Sequence, residues 1–433
     1  MAHITGREIA LETLLLITRD GEYSHIALSN VLLKYQYLEK RERAFITRVV
    51  EGTLERMIEI DYMIDQFSRV KTGKMKPVIR EIIRSSVYQL LYMDNVPDSA
   101  VCNEAVKLAV RKGFGALKGF VNGVLRNISR NKGEIVYPEK EDTLSYISVK
   151  YSLPEWLAGQ WLSWYGADTV AAMGEEFLKE KPLCIRCNTS KLTPEELKEI
   201  LGKEGVCVED CPGFPYAFYI SGYDHLSGLE SFREGGFYVQ DISSMYVAEW
   251  SGIKSGDYVI DVCAAPGGKA LHLAELLKGT GYVEARDLTE RKIALIEENI
   301  EKSGLKNIEA VRQDALIFHE ASCGKADIVL ADLPCSGLGV LGKKPDLKYR
   351  MDEGKQKELV SLQRRILAVV NRYVKPGGRL IYSTCTIHQA ENEENRAWFE
   401  EEFQEFHLIR KKQMIPGRDP GDGFYIAVFE KES

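Results

Sequence analysis

The sequence lacks any apolar run long enough to cross a membrane. Of its 433 residues, 45% are hydrophobic and 28% are charged, and no uninterrupted apolar segment reaches the ~18 to 20 residues that a membrane-spanning helix needs. The first twenty residues carry acids within their apolar stretch, so they predict an amphipathic helix and not a signal peptide. We therefore expect a cytoplasmic protein with no membrane partner.

The sequence also lacks the cysteine and histidine spacing that would indicate a disulfide framework or a metal site. The nine cysteines stand at irregular spacing, which without a signal peptide favours a reducing compartment. Cys184-x-x-Cys187 and Cys207-x3-Cys211 imitate zinc-ligand spacing, but Cys184 and Cys187 lie three apart in an apparently extended segment and should face opposite ways. The seven histidines show no metal spacing. We therefore expect no metal and assign these four cysteines to packing.

An overall excess of positive charge is missing too. The net charge of −7 argues against a simple nucleic-acid binder, but the charge is unevenly spread. Residues 69–132 carry 13 basic and 4 acidic side chains. An anionic partner would bind there, unless this segment is only a solvated helix surface.

The periodicity of apolar residues divides the chain into three parts. Residues 1–132 show helical steps of three and four throughout, and residues 145–235 mix helical and extended patterns. Strands and helices alternate from about residue 236, which predicts a parallel sheet with helices on both faces. The tail "GDGFYIAVFEK" predicts one further strand, antiparallel at the edge. We expect domains at 1–136, 137–234 and 235–433.

The segment "DYVIDVCAAPGGKA" predicts a strand, a turn of small residues and a helix. It matches neither the G-x-G-x-x-G dinucleotide motif nor the P-loop. Acids end three later strands, at Asp287, Asp314 and Asp332. An acid about 20 residues past the glycines can accept hydrogen bonds from ribose hydroxyls, and Asp314 can reach an adenine amine. An adenosine joined to an amino acid fits this set, so we expect S-adenosylmethionine as the cofactor.

Two cysteines follow predicted strands of this sheet, in "ADLPCSG" and "YSTCT". Cys335 and Cys385 should both lie at strand ends that face the ligand-binding side of the sheet, where a thiolate can attack a substrate. The residues alone leave the choice of nucleophile open, although Pro-Cys is the nucleophile motif of DNA cytosine-5 methyltransferases and so favours Cys335.

These motifs together resemble the bacterial small-subunit ribosomal RNA cytosine-5 methyltransferases of the RsmB (Sun/Fmu) type, over nearly the whole chain. The motifs "CAAPGGK", "DLPCSG", "KPDLKY", "STCT" and "GDGFY" resemble those of the catalytic domain, and "REIALETLLLI" and "VYQLLYMDNVP" resemble a NusB-like RNA-binding domain. Two departures, Leu333 and "EARD", should matter little, whereas "GKKPDLKY" differs where substrate contacts are expected.

The resemblance implies an α/β protein with an all-helical NusB-like N-terminal domain, a small α/β middle module and a Rossmann-like class I methyltransferase C-terminal domain. It implies methyl transfer from S-adenosylmethionine to carbon 5 of a cytosine in 16S ribosomal RNA, through a covalent cysteine adduct, by a monomer. It assigns the attack to Cys385 and product release to Cys335, with Asp332 and Lys269 near the base. It implies cofactor contacts from Cys263, Ala264, Ala265, Pro266, Gly267, Gly268, Lys269, Asp287, Arg291, Asp314 and Asp332.

Two other classes of function stay open at this point. One is a NusB-type transcription or antitermination module with a vestigial enzyme domain, although the complete set of acids and cysteines argues against decay. The other is a DNA methyltransferase, which the NusB-like segment and the second cysteine disfavour.

Overall fold

The computed structural model describes residues 4–433, which form two compact units. One unit runs to Lys179 and includes Leu341–Arg350, and the other comprises Glu180–Val340 and Met351–Ser433. These two units are defined by compactness and do not test where each domain begins and ends. The three predicted domains therefore stay a prediction. Within the described residues, every helix is too short or too polar to span a membrane. The cytoplasmic location and the monomeric state also stay predictions.

Within the described residues, the first unit contains ten helices up to Phe177 and the short helix Leu347–Arg350. The apolar periodicity predicts those that lie within residues 1–132. The central one begins at Pro77, where a proline costs no hydrogen bond because the first helical N–H has no partner within the helix. It buries Ile79, Ile82 and Ile83 among its neighbours. The helices are α1 (Gly6–Thr18), α2 (Ser24–Lys34), α3 (Lys40–Glu55), α4 (Met57–Phe67), α5 (Pro77–Tyr92), α6 (Asp98–Arg111), α7 (Lys118–Arg130), α8 (Thr143–Lys150), α9 (Glu155–Tyr165) and α10 (Ala167–Phe177).

The second unit begins with a four-stranded antiparallel sheet in the order β2-β3-β1-β4. Thr193 caps the helix beside this sheet through a reciprocal bond with Glu196, as the sequence predicts. The elements are β1 (Leu183–Cys187), α11 (Pro194–Lys203), β2 (Cys207–Asp210), β3 (Ala217–Ser221), α12 (Glu230–Arg233) and β4 (Phe237–Val239).

A seven-stranded sheet follows, with its strands in the order β10-β11-β9-β8-β5-β6-β7. The five strands from β9 to β7 in this order are parallel, and helices cover them. The elements from here to the end of the chain, among which α16 belongs to the first unit, are α13 (Ile242–Trp250), β5 (Tyr258–Asp261), α14 (Gly268–Leu276), β6 (Tyr282–Asp287), α15 (Glu290–Ser303), β7 (Ile308–Arg312), β8 (Ala326–Asp332), α16 (Leu347–Arg350), α17 (Glu353–Val370), β9 (Val374–Thr384), α18 (Glu393–Glu402), β10 (Phe406–Met414) and β11 (Phe424–Lys431).

The tail strand corrects one expectation. β11 is antiparallel, as predicted, but it does not lie at the edge, because it pairs with β9 on one side and β10 on the other. Its first six residues are buried, which suits an interior position. β10 takes the edge instead, and its "HLIRKKQ" stretch is largely polar and poorly buried, as edge strands commonly are.

The segment Leu341–Arg350 folds with the helices of the first unit, although the strands on either side of it in sequence belong to the second. Lys348 Nζ donates to the carbonyl of Glu55 at 2.7 Å, and the Tyr349 hydroxyl donates to that of Leu54 at 2.8 Å. Burial lowers the pKa of Lys348 to about 7. The segment "KPDLKY" therefore packs against helices of the first unit. The sequence analysis instead grouped it with the motifs of the catalytic domain.

The winding of the large sheet determines where a ligand can bind. β5 pairs with β6 on one side and with β8 on the other, so the strand order reverses between β5 and β8. Ligands of such sheets bind beyond the carboxyl ends of the strands at this reversal. The ends of β5 and β8 are Asp261 and Asp332, and the candidate site lies there.

Candidate active site

The turn between β5 and α14 forms a tight cradle. Gly267 adopts the left-handed conformation at φ +108°, which a residue with a Cβ rarely reaches. Its N–H bonds the carbonyl of Ala264 at 2.7 Å, and the N–H of Ala264 bonds the carbonyl of Arg286 at 2.8 Å on the neighbouring strand. The turn is thereby held next to the end of β6, with the first N–H groups of α14 open to a ligand.

Asp287 at the end of β6 is the acid best placed for a nucleoside. It is buried, it accepts the N–H of Ala265 at 3.0 Å and that of Leu288 at 2.7 Å, and it pairs with Lys292 at 2.9 Å. A carboxylate accepts about four hydrogen bonds, which leaves capacity for a ribose hydroxyl. The residues present therefore fit an adenosine-containing cofactor.

Asp314 and Arg291 lie on the same side of this sheet edge. Asp314 is half-buried beyond the end of β7, where Gln313 N–H bonds the carbonyl of Asp287 at 3.0 Å. Its carboxylate accepts the N–H of Leu316 at 2.9 Å, so it stands beside Asp287 as the sequence predicts. Arg291 is exposed in the first turn of α15. The next residue, Lys292, makes the contact with Asp287, and no sequence motif indicated it.

Lys269 and Asp332 form an ion pair across the strand reversal. Their Nζ and Oδ2 atoms lie 2.6 Å apart, and the side chains are 18% and 26% exposed. The other oxygen of Asp332 accepts the Ser383 hydroxyl at 2.8 Å. Burial opposes the charge of Lys269, but Asp332 and Cys385 outweigh it and raise the pKa of the ammonium. A cation thus stands at the carboxyl ends of β8 and β9.

The two candidate nucleophiles lie side by side. Cys335 follows β8 and Cys385 follows β9, and their sulfurs are 3.3 Å apart. The shared hydrogen bond, followed by burial, raises the pKa of the Cys335 thiol well above its usual value. The proton therefore stays on Cys335, which can donate it toward the Cys385 sulfur.

A buried carboxyl that the sequence reasoning missed lies near Asp332 and Lys269. Asp261 ends β5 at 1% exposure and accepts the N–H of Cys263 at 3.3 Å. Burial and the nearby charge of Asp332 raise its pKa to about 8. The only available signal was its place at the end of an apolar strand. Cys263 itself is half-buried, and burial raises the pKa of its thiol as well.

Three of the four cysteines that were assigned to packing are buried, and Cys207 is the exception. Cys184 and Cys187 are buried in two different apolar clusters, and within residues 4–433 no three potential ligands converge on a metal position. Cys207 is exposed on β2. Cys323 is exposed in the loop before β8.

Three family models match successive parts of the chain. The NusB family matches residues 5–130, a ferredoxin-like domain of RsmF/B-like methyltransferases matches 153–223, and the 16S rRNA methyltransferase RsmB/F family matches 249–430. The NusB-like and methyltransferase parts of the predicted fold are confirmed, and the middle module corresponds to the ferredoxin-like domain.

Full-length relatives agree with these models. The chain is 35% identical to a probable ribosomal RNA small subunit methyltransferase B of Bacillus subtilis, with all of both chains covered. It is 30% identical to one of Synechocystis, over 99% of this chain and 100% of the relative. The solved structure of PH0851 matches with a TM-score of 0.83 and 28% identity, over 99% of each chain. The chain therefore belongs to the RsmB/F family of small-subunit ribosomal RNA methyltransferases, and its methyl donor is S-adenosylmethionine.

Proposed function

We propose that this protein methylates carbon 5 of one cytosine in 16S ribosomal RNA through a covalent adduct on Cys385. The observation that carries the proposal is the pair of thiols, 3.3 Å apart, beside the Lys269–Asp332 ion pair. Carbon 5 of cytosine is a poor nucleophile. A thiolate bound to carbon 6 turns it into an enamine-like carbon, so covalent catalysis divides one difficult step into two easier ones.

Cys385 is the attacking group in this proposal. Lys269 interacts electrostatically with it, and a neighbouring cation favours the thiolate. The Cys335 thiol adds a hydrogen bond to that sulfur. The target base must leave its stack to reach the sulfur, which favours an unpaired nucleotide. Asp332 and Lys269 then contact the base edge.

Cys335 completes the reaction as the base. Once the Cys385 sulfur is bonded to carbon 6, the largest cause of the raised pKa of Cys335 is gone. The Cys335 thiol can then lose its proton to solvent. Its thiolate takes the proton from the methylated carbon 5, the bond between carbon 6 and Cys385 breaks, and Cys385 leaves as the thiolate. One proton is released overall.

S-adenosylmethionine, when bound, supplies the electrophilic methyl group. Asp287 and Asp314 would hold its ribose and adenine, and the turn from Ala264 to Lys269 would surround its methionine end. Asp332, which already accepts bonds from Lys269 and Ser383, would face both the cofactor and the base.

The test compares Cys385→Ala with Cys335→Ala on small-subunit RNA transcribed in vitro. Cys385→Ala should abolish methyl transfer, whereas Cys335→Ala should accumulate a protein–RNA adduct that survives denaturant. Cys207→Ala changes an exposed cysteine of the small sheet and should behave as the wild type. Bisulfite mapping would then name the methylated cytosine.

Three outcomes would overturn the proposal. A trapped adduct in Cys385→Ala would give the attack to Cys335. Preference for a DNA duplex over the RNA in a competition assay would support a DNA methyltransferase, and cofactor binding without any transfer would support a vestigial enzyme domain.

A further inference from the structure

The turn that carries Cys335 is held from both sides by side chains that come from elsewhere in the second unit. Before the cysteine, the carbonyl of Pro334 accepts the side-chain N–H of Gln363 at 2.9 Å. After it, the N–H of Ser336 donates to Glu391 Oε2 at 2.9 Å. The backbone on either side of Cys335 is thus bonded to one of these two residues.

Gln363 and Glu391 also hold each other. Gln363 Nε2 donates to Glu391 Oε2 at 2.9 Å, and its Oε1 accepts the Asn395 amide at 2.8 Å. Both side chains are fully buried, and a polar pair in such a place is costly unless it is satisfied. The bond from Asn395 orients the Gln363 amide, so its donor end faces Pro334 and Glu391.

A separate set of contacts holds Cys385. It directly follows β9, where Thr384 donates to Asn392 Oδ1 at 2.6 Å and Asn392 donates to the carbonyl of Thr386 at 2.9 Å. Two cross-links join the cysteine turns, namely Ser336 with Thr386 at 2.8 Å and Gly339 N–H to the carbonyl of Cys385 at 3.1 Å. Gln363 and Glu391 also bond the Tyr382 hydroxyl on β9, through Gln363 Oε1 at 3.3 Å and the carbonyl of Glu391. Their side-chain bonds to the backbone, however, lie directly before and directly after Cys335, so these side chains act first on the Cys335 turn.

We infer that Glu391 and Gln363 are positioning residues for Cys335, and that they serve the release of the methylated product and not the attack. This inference rests on the proposed function, because it takes Cys385 as the nucleophile and Cys335 as the base. The charge of Glu391 also contributes to the raised pKa of Cys335, after the bond from Cys385 and burial.

The experiment measures adduct and free methylated RNA separately. Full-length protein, S-adenosylmethionine with a labelled methyl group and transcribed small-subunit RNA react in a single turnover, and denaturing gels resolve the two products. Glu391→Ala and Gln363→Leu should form the adduct at nearly the wild-type rate. They should release product between ~10- and ~100-fold more slowly, which is the cost expected when a catalytic group is displaced by about 1 Å.

The conservative variant Glu391→Gln serves as the matched control. A glutamine retains a side-chain oxygen that accepts from Ser336 and Gln363, so release should return to within a few-fold of the wild type. Asn392→Ala acts on the other cysteine and should slow adduct formation instead. Thermal melting checks that each variant folds. If Glu391→Ala does not fold, Gln363→Leu tests the inference alone, because leucine has a volume similar to that of glutamine and lacks its polar group.

The outcomes separate this inference from the proposed function. If Cys335→Ala fails to trap the adduct, the proposed function is wrong. If it traps the adduct but Glu391→Ala and Gln363→Leu release product at the wild-type rate, only the inference is wrong. Equal loss of adduct formation and release in both variants would also overturn it, since that pattern reflects general disorder of the site.

Discussion

Two pairs of cysteines in the second unit bring their sulfurs close together, and they make an instructive comparison. Cys335 and Cys385 are 3.3 Å apart, and Cys184 and Cys211 are 3.6 Å apart. The second pair is buried at 3% and 5% exposure in an apolar cluster of the small sheet, with Phe214 among its members. The first pair is half-buried at the carboxyl ends of two parallel strands.

The comparison teaches that neither thiol proximity nor a favourable pKa identifies a nucleophile. The bond from Cys184 lowers the pKa of Cys211 despite its burial, and yet this thiol is buried in an apolar cluster of the small sheet. The pair that we propose to react differs in its surroundings, because Lys269 supplies a cation and the strand ends give access to a ligand. In this proposal, position in the sheet decides which pair reacts.

The largest expected difference comes from removing one sulfur from each pair. Cys385→Ser should lower methyl transfer by at least ~10⁴-fold, because a hydroxyl is a weak nucleophile without an adjacent base. Cys184→Ala should change turnover by less than about twofold and cost ~1 kcal/mol of stability, a typical value for a single substitution. Turnover assays and thermal melts measure both. Comparable losses of activity would remove the distinction between the pairs.

Replacing Lys269 should make the alkylation rate of Cys385 more similar to the rates of the buried Cys184 and Cys211. Lys269→Met takes away the charge that favours the Cys385 thiolate, so its alkylation by iodoacetamide should slow by about 10- to 100-fold. Mass spectrometry of the separated peptides measures this rate, with the exposed Cys207 as an internal reference. An unchanged rate at Cys385 would show that Lys269 does not promote its ionisation.

Mild oxidation should distinguish the pairs by access. Diamide can take two electrons and two protons from the Cys335 and Cys385 thiols and leave a disulfide, and most activity should be lost until a thiol reductant is added. Cys184 and Cys211 are buried and should stay reduced in the folded protein. Alkylation followed by peptide mapping identifies the products. Oxidation of the buried pair first would contradict the role of access.

A further comparison concerns one aspartate of each sheet, Asp261 at the end of β5 and Asp210 at the end of β2. Since the pKa of Asp261 is raised to about 8 in the folded protein, the folded state retains a proton that the unfolded state has lost. The free energy of unfolding should therefore fall between about pH 4 and pH 8, by at most ~1.4 kcal/mol per pH unit from this group.

Asp261→Asn should flatten that slope in chemical denaturation at several pH values. Asp210, next to Cys211, has a side chain that is 73% exposed, so Asp210→Asn is the matched control and should keep the wild-type slope. An Asp261→Asn protein with the same slope as the wild type would show that this carboxyl is ionised when folded.

The sequence by itself determined the helical first part, the alternating second part and the elements that carry the site. Periodicity and turn residues are local properties, so they predicted the helical character of residues 1–132, the cradle at Gly267 and the acids at three strand ends. They misplaced β11 at the edge and missed β10, because a largely polar strand has little apolar alternation to detect.

Only the tertiary structure decided which of these groups meet. That Cys335 and Cys385, 50 residues apart, share a hydrogen bond depends on β8 and β9 being neighbours. That Glu391 and Gln363 hold the Cys335 turn depends on how α17 and the turn before α18 pack beside the sheet. Local sequence encodes whether each segment tends to form a helix, a strand or a turn. Contacts between distant residues arise only when the segments bury their apolar faces against one another.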